Sequence, residues 1–219
     1  VCSIQYICTL SMIFYGACEL VYLTLVLTDL PEMSVNRLAV SITTHAWSPD
    51  GNRVAICPND TTLQIFVKQS DGSFQLEFTL KGHDAVVTCV DWYQRGSSQG
   101  EIVSCSQDRI AFVWRYDEKE KKWIPTLVIV RLNRAATKCR WSPNGQKFAV
   151  ASGDKVVSAC HFDVDNDWWV SKLVTGHNST ILDISWHPNN ILLATACADN
   201  TVRVVSAYVK DIDDKASVA

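Results

Sequence analysis

The sequence predicts an all-β protein of the β-propeller class, and three observations carry that prediction. Four tryptophans recur along the chain: Trp47 in "HAWSPDG", Trp92 in "CVDWYQRG", Trp141 in "CRWSPNG" and Trp186 in "ISWHPNN", at spacings of 45, 49 and 45 residues. Four aspartates keep the same period, with Asp60, Asp108, Asp154 and Asp199 spaced 48, 46 and 45 apart. Around each aspartate, a short run of apolar residues precedes a polar turn and a second run follows it, which is the pattern of a β-hairpin. A period of roughly 40–50 residues points to solenoids or propellers. Four short strands fit in each such unit, as in a propeller blade. No stretch beyond Met33 carries the 3.6-residue apolar stripe that a surface helix needs.

The elements follow in chain order. Residues 1–32 carry one charge, Glu19, before Asp29, and no Lys or Arg. The stretch is long enough to span a bilayer but lacks the basic start and small-residue cleavage site of a signal peptide. Two readings compete: a membrane anchor, or sequence upstream of a true start at Met33. The absence of an initiating Met favours the second, so residues 1–32 are expected not to be part of the native protein. Residues 33–219 are expected to hold the partial propeller, with blades near 42–80, 83–128, 133–174 and 177–210. "VNRLAVS", Val35 to Ser41, is expected to be the N-terminal strand that a closed ring pairs with its last blade. The paired apolar runs are "RVAIC" and "LQIFV" in the first unit, "EIVSC" and "IAFVW" in the second, "KFAVA" and "VVSAC" in the third, and "LLATA" and "TVRVV" in the fourth.

Two polar stretches sit between the later strands. "DEKEKK", Asp117 to Lys122, reads as an exposed loop. "DVDND", Asp163 to Asp167, begins like a calcium loop, but Trp168 stands where the loop needs Gly and Val174 where it needs Glu, so a solvated turn is expected instead. Trp168 and Trp169 follow directly. Neighbouring strand residues point to opposite faces. Two large adjacent rings therefore imply a strand covered on both sides, with one ring left at the rim for packing or for a partner.

Composition narrows the function. The chain has 219 residues, is 47% hydrophobic and 20% charged, and carries a net charge of −3, which gives no electrostatic case for a nucleic-acid partner. Its nine cysteines are scattered with no C-x-x-C pair, so buried reduced thiols are expected and a metal site is not. There is no Gly-rich phosphate loop and no G-x-S-x-G, so no cofactor, small-molecule substrate or catalytic residue is expected.

"KGHDAVVTCVDW" followed by "IVSCSQDRIAFVW" resembles a WD repeat. That resemblance implies a structural chain of hydrogen bonds from Asp108 to His83, to Ser104 and to Trp114, in which each buried polar group finds a partner. The fourth unit matches with Gly176-His177, Thr195 and Asp199, but has Val205 in place of the tryptophan. Units one and three keep the aspartate and lack Gly-His. Longer words are more specific. Pro125 to Ala136, Asn166 to Lys172 and Ser185 to Ala194 resemble the WD-repeat subunit of the actin-related protein 2/3 complex.

This resemblance runs from about Met33 to Lys210, roughly half of a family member. It implies about four blades of a seven-bladed ring and a non-catalytic scaffold role in actin filament nucleation and branching. The implied partners are the other subunits of that complex and, through them, actin filaments, in the cytoplasm at the actin cytoskeleton. Residues 33–219 are then expected to be the N-terminal part of a longer product. Apolar faces would be left open at Ile56 and Phe66 in the first unit and at Val202 and Val204 in the fourth. Arg131, Arg134, Trp168 and Trp169 are the expected partner contacts. The alternative is a WD-repeat adaptor of another assembly, such as a ubiquitin-ligase substrate receptor.

Overall fold

The computed structural model describes residues 36–95, 98–210 and 212–213, and the apolar stretch 1–32 lies outside them. The described residues form fifteen strands and no helix. Each of the first three sheets is a four-stranded antiparallel meander. The first holds β1 (Thr44–Trp47), β2 (Arg53–Cys57), β3 (Thr62–Lys68) and β4 (Phe74–Lys81). The second holds β5 (Val87–Tyr93), β6 (Glu101–Ser106), β7 (Ala111–Asp117) and β8 (Lys122–Val128). The third holds β9 (Ala136–Trp141), β10 (Lys147–Ser152), β11 (Val157–Asp163) and β12 (Trp168–Val174). The fourth has three strands, β13 (Ile181–Trp186), β14 (Leu192–Cys197) and β15 (Val202–Ser206). The first strands of successive sheets, β1, β5, β9 and β13, lie side by side, as blades do around a propeller axis.

The turns follow from local chemistry. Between the first two strands of a blade, Asp50, Asn144 and Asn189 each accept backbone N–H groups two residues on. Gly51, Gly145 and Asn190 follow them in the left-handed region. The hairpins after the second strand place Arg109, Lys155 and Asn200 at positive φ, each directly after the periodic aspartate. "DVDND" is a hairpin turn, in which Asp163 accepts the N–H groups of Asp165 and Asn166. Asp117 does the same with Lys119 and Glu120. A side chain that mimics a backbone turn in this way is the usual reason for Asp and Asn at such sites.

Burial grades from the inner strands to the rim. All six residues of β6 and of β10 are buried, so these strands are covered on both faces, whereas most of β4 and β8 is exposed. Three cores lie between blades. Leu63 and Ile65 of the first meet Val90, Ile102 and Trp114 of the second. Val103 and Val113 of the second meet Trp141, Phe148 and Trp169 of the third. Ala149 and Val157 of the third meet Ile181 and Leu193 of the fourth. A polar bond recurs at each seam. The hydroxyl of Thr43 donates to the carbonyl of Val87 at 2.9 Å, that of Thr88 to Ala136 at 2.9 Å, and that of Thr137 to Ile181 at 2.6 Å.

The structure departs from the sequence reading in three places. Residues 36–41 form no strand, because the segment runs along none of the four sheets; Leu38 and Ala39 instead pack on Val54, Ile56 and Phe66. Ile56 and Phe66 are therefore buried, at 1% and 7% exposure, while Val202 and Val204 are 74% and 66% exposed. Among the described residues the fourth sheet has no fourth strand, and the chain after Ser206 turns inward. The N–H of Ala207 bonds to the carbonyl of Ile191, and Asp213 reaches the ammonium of Lys147 at 2.5 Å.

That last contact is a buried ion pair. Lys147 is fully buried, and its Nζ also donates to the carbonyl of Ala207 at 3.1 Å and lies 5.4 Å from the centre of the Trp186 ring. Asp213 accepts from the Asn190 side chain at 2.9 Å and from the Val209 N–H at 2.7 Å. Burial pushes the Lys147 ammonium below its usual range, and the hydrogen bond to Asp213 opposes that shift. Removing one partner of such a pair strands a buried charge, at a cost of about 3–5 kcal/mol. Asp213→Ala is therefore expected to lower unfolding stability by that amount, and Lys147→Met with Asp213→Leu to recover most of it, measured by chemical denaturation.

Candidate interaction surface

The second blade carries a continuous hydrogen-bond chain from its entry loop to its third strand. Nδ1 of His83 lies 2.7 Å from Oδ2 of Asp108, Nε2 lies 2.9 Å from the Ser104 hydroxyl, and the Trp114 indole N–H donates to the same hydroxyl at 2.9 Å. All four side chains are buried. Burial pushes the His83 imidazole down, against the pull of Asp108, so it is held neutral with its Nδ1–H on the carboxylate. Ser104 then donates to Nε2 and accepts from Trp114. Asp108 also caps two backbone N–H groups, those of Asp84 and Ile110.

The other blades vary this theme. In the third, Asp154 accepts the backbone and side-chain N–H groups of Asn133, which stands four residues before Thr137 as Asp84 stands before Thr88 in the second blade. In the fourth, Nε2 of His177 lies 2.6 Å from the Thr195 hydroxyl, but Nδ1 stays 3.9 Å from Asp199. In the first, the Asp60 carboxylate accepts from the backbone N–H and the hydroxyl of Thr62 on the same turn, and these bonds are exposed. These residues are ligated to one another and to the backbone, which is a structural arrangement. His177, Cys197 and Asp199 are, among the described residues, the one group of three with ligating atoms within 4.8 Å of one another.

The residues expected to meet a partner are divided by the fold. Trp169 is 8% exposed and packs edge-on against Trp141 and Phe162 and beside Phe148, with the Arg95 guanidinium 5.5 Å above its ring. Trp168, one residue earlier, is 62% exposed. It lines a groove of about 190 Å³ together with Leu127, Ile129, Arg131, Val170 and Ser171. Leu127 and Ile129 are 53% and 67% exposed, so the second and third blades share an apolar patch at the rim with Arg131 beside it. Arg134 lies elsewhere, against Gly153 at the hairpin turn of the third blade. The described cysteines are buried and none is disulfide-bonded; burial pushes the Cys160 thiol up to about 12.

Several contributors escaped the sequence reading. Glu101 is fully buried and held by Arg115 at 2.8 Å and Arg95 at 3.7 Å. Thr43, Thr88 and Thr137 each stand four residues before a periodic tryptophan, a spacing that was open to view in the sequence.

A model of the WD domain, G-beta repeat, matches residues 74–115 and 168–206. Over 188 residues, 85% of this chain and 48% of the relative, the chain is 46% identical to actin-related protein 2/3 complex subunit 1A of Arabidopsis thaliana. It is 47% identical over 173 residues to subunit 1 of Schizosaccharomyces pombe, covering 78% of this chain and 44% of that protein. The chain is a WD-repeat relative of actin-related protein 2/3 complex subunit 1. The Saccharomyces cerevisiae subunit 1 is 41% identical over 179 residues, 81% of this chain and 45% of that protein. The chain thus spans about half the length of the curated relatives it matches. The first matched WD stretch includes the whole His83–Asp108–Ser104–Trp114 chain, and the second includes Thr195 and Asp199.

The second blade depends on its aspartate more than the first does. Asp108→Ala leaves a buried imidazole and two N–H groups without their acceptor, at about 1–3 kcal/mol for each group stranded. Asp60→Ala removes only exposed turn bonds, worth about half a kcal/mol. Denaturant melts of the two variants are expected to separate by at least about 1 kcal/mol.

Proposed function

We propose that this chain is a non-catalytic scaffold subunit of an actin-related protein 2/3 complex, supporting actin filament nucleation and branching. Its partners are the other subunits and, through the complex, actin filaments, in the cytoplasm at the actin cytoskeleton. One observation carries the reading: 41–47% identity, over about 80% of the chain, to proteins named as subunit 1 of that complex in plants and yeasts. The physical features agree with a scaffold. The histidines, aspartates and serines that catalysis would draw on are tied into blade turns and seams. The exposed rim patch of Trp168, Leu127 and Ile129 beside Arg131 has the make-up of an interface centre, a large aromatic anchor with a guanidinium at its edge. We assign partner contact to Trp168 and Arg131, and a packing role to Trp169.

Affinity purification of the tagged chain from its source cells tests this reading. Actin-related subunits are expected to co-purify. Recovery of ubiquitin-ligase or trafficking components without any actin-related subunit would overturn it. Trp168→Ala is expected to weaken capture about tenfold or more, the loss of a hot-spot aromatic, while leaving the melting temperature unchanged.

A further inference from the structure

The fourth blade differs from the second at three linked positions. Val205 stands opposite Leu193 where the second blade has Trp114 opposite Ile102. Cys197 stands two residues before the turn aspartate, where the second and third blades have Ser106 and Ser152. The His–Asp distance is 3.9 Å instead of 2.7 Å.

Hydrogen-bond arithmetic connects these differences. With no indole N–H to receive, the Thr195 hydroxyl donates to the carbonyl of Arg203 at 3.2 Å. It must therefore accept at its 2.6 Å contact with His177, which places that proton on Nε2. Nδ1 is then a bare lone pair. It is buried, with the side chain 4% exposed, and has no hydrogen-bond partner. Nearby are the Asp199 carboxylate and the Cys197 sulfur, and all three ligating atoms lie within 4.8 Å of one another. The Cys197 thiol is hydrogen-bonded to the Asp199 carboxylate, and Nδ1 faces both with no proton donated to it. The tautomer of the second blade, with Nδ1–H on Asp108, is the one that closes such a gap.

We propose that His177, Cys197 and Asp199 form a binding site for a divalent transition-metal ion of the Zn²⁺ type. An imidazole, a thiolate and a carboxylate are its usual donors, and three protein ligands leave the fourth tetrahedral position to water. Bond lengths of about 2.0–2.3 Å require ligating atoms about 3.3–3.8 Å apart, so the side chains close by about 1 Å on binding. The Nδ1 atom faces the other two ligands without a hydrogen-bond partner of its own, so it is free to take the ion. Cys197 gives up the proton it shares with the Ser179 carbonyl at 3.3 Å, and the thiolate and carboxylate together balance the charge of the ion. Asp199 keeps its turn bonds to the N–H groups of Thr201 and Asn178, which orient the carboxylate. The absence of a C-x-x-C pair hid the site: its ligands come from one turn and from a loop some twenty residues upstream.

Cobalt titration of the metal-stripped full chain tests the proposal. One equivalent of Co²⁺ is expected to give a thiolate-to-cobalt charge-transfer band with the strong visible bands of a four-coordinate ion, and Zn²⁺ to displace it. Cys197→Ser restores the residue type of the sibling blades, so it is expected to fold. It should lose the charge-transfer band and bind Zn²⁺ at least about tenfold more weakly. Zn²⁺ should raise the melting temperature of the native chain and not of this variant. Ser106→Cys in the second blade should add no second equivalent, because Nδ1 of His83 is engaged there. Absence of the band in the native chain, or a band of unchanged intensity in Cys197→Ser, would overturn the site.

Discussion

Face-to-face packing between blades is the constraint on which the rest of this structure depends. A four-stranded sheet of this size has two faces and no helix to cover either, so each blade is stable only against its neighbours. That is why β6 and β10 are buried along their whole length, and why their sequences lack the alternation of a half-exposed strand. Hydrophobic burial supplies most of the attraction between blades, but it is not directional. The threonine bonds add direction. Each hydroxyl reaches the carbonyl at the start of the next blade's first strand, so every seam carries the same polar peg at the same height.

A packing made this way buries polar groups, and the molecule meets several of the largest with specific partners. His83 is enclosed by Asp108 and Ser104, Glu101 by two guanidiniums, and Lys147 by Asp213 and a carbonyl. Such pairs add little net stability, because desolvation offsets much of the attraction. Their effect is on geometry. The His83 chain fixes the entry loop of the second blade to its own hairpin and third strand. The Lys147 pair fixes the segment leaving the fourth blade to the third, across 66 residues of chain.

Much of this was legible in the sequence, for identifiable reasons. The periodic tryptophans and aspartates were visible because they mark turns, where one residue type is needed at one position. The second and third strands of each blade were visible because they are short, mostly apolar runs on either side of a polar turn. Trp168 and Trp169 stated the alternation of their strand, and the structure buries one ring and exposes the other. What stayed hidden depends on long-range pairing. Nothing near Lys147 announces that a lysine there is fully enclosed, since its partner is Asp213. Asn133 caps Asp154 in a blade that has Leu132 where the second has His83, a role that no local pattern displays. Val35 to Ser41 has the length and apolar residues of a short strand, but apolar content states a preference for burial and cannot supply a sheet edge. Leu38 and Ala39 satisfy that preference by packing on the first blade without pairing.

The fourth blade shows how far the repeat rule extends. Four residues before Trp47, Trp92 and Trp141 stands a threonine, and before Trp186 stands Leu182. The three threonines each donate across a seam, whereas Leu182 is 57% exposed and has no hydroxyl to give. Val202 and Val204 are exposed as well, on the strand farthest from the blade's first. The polar pegs set the register of the first three seams, because a hydrogen bond fixes position along the strand whereas apolar burial, at about 25 cal/mol per Å², is indifferent to small lateral shifts.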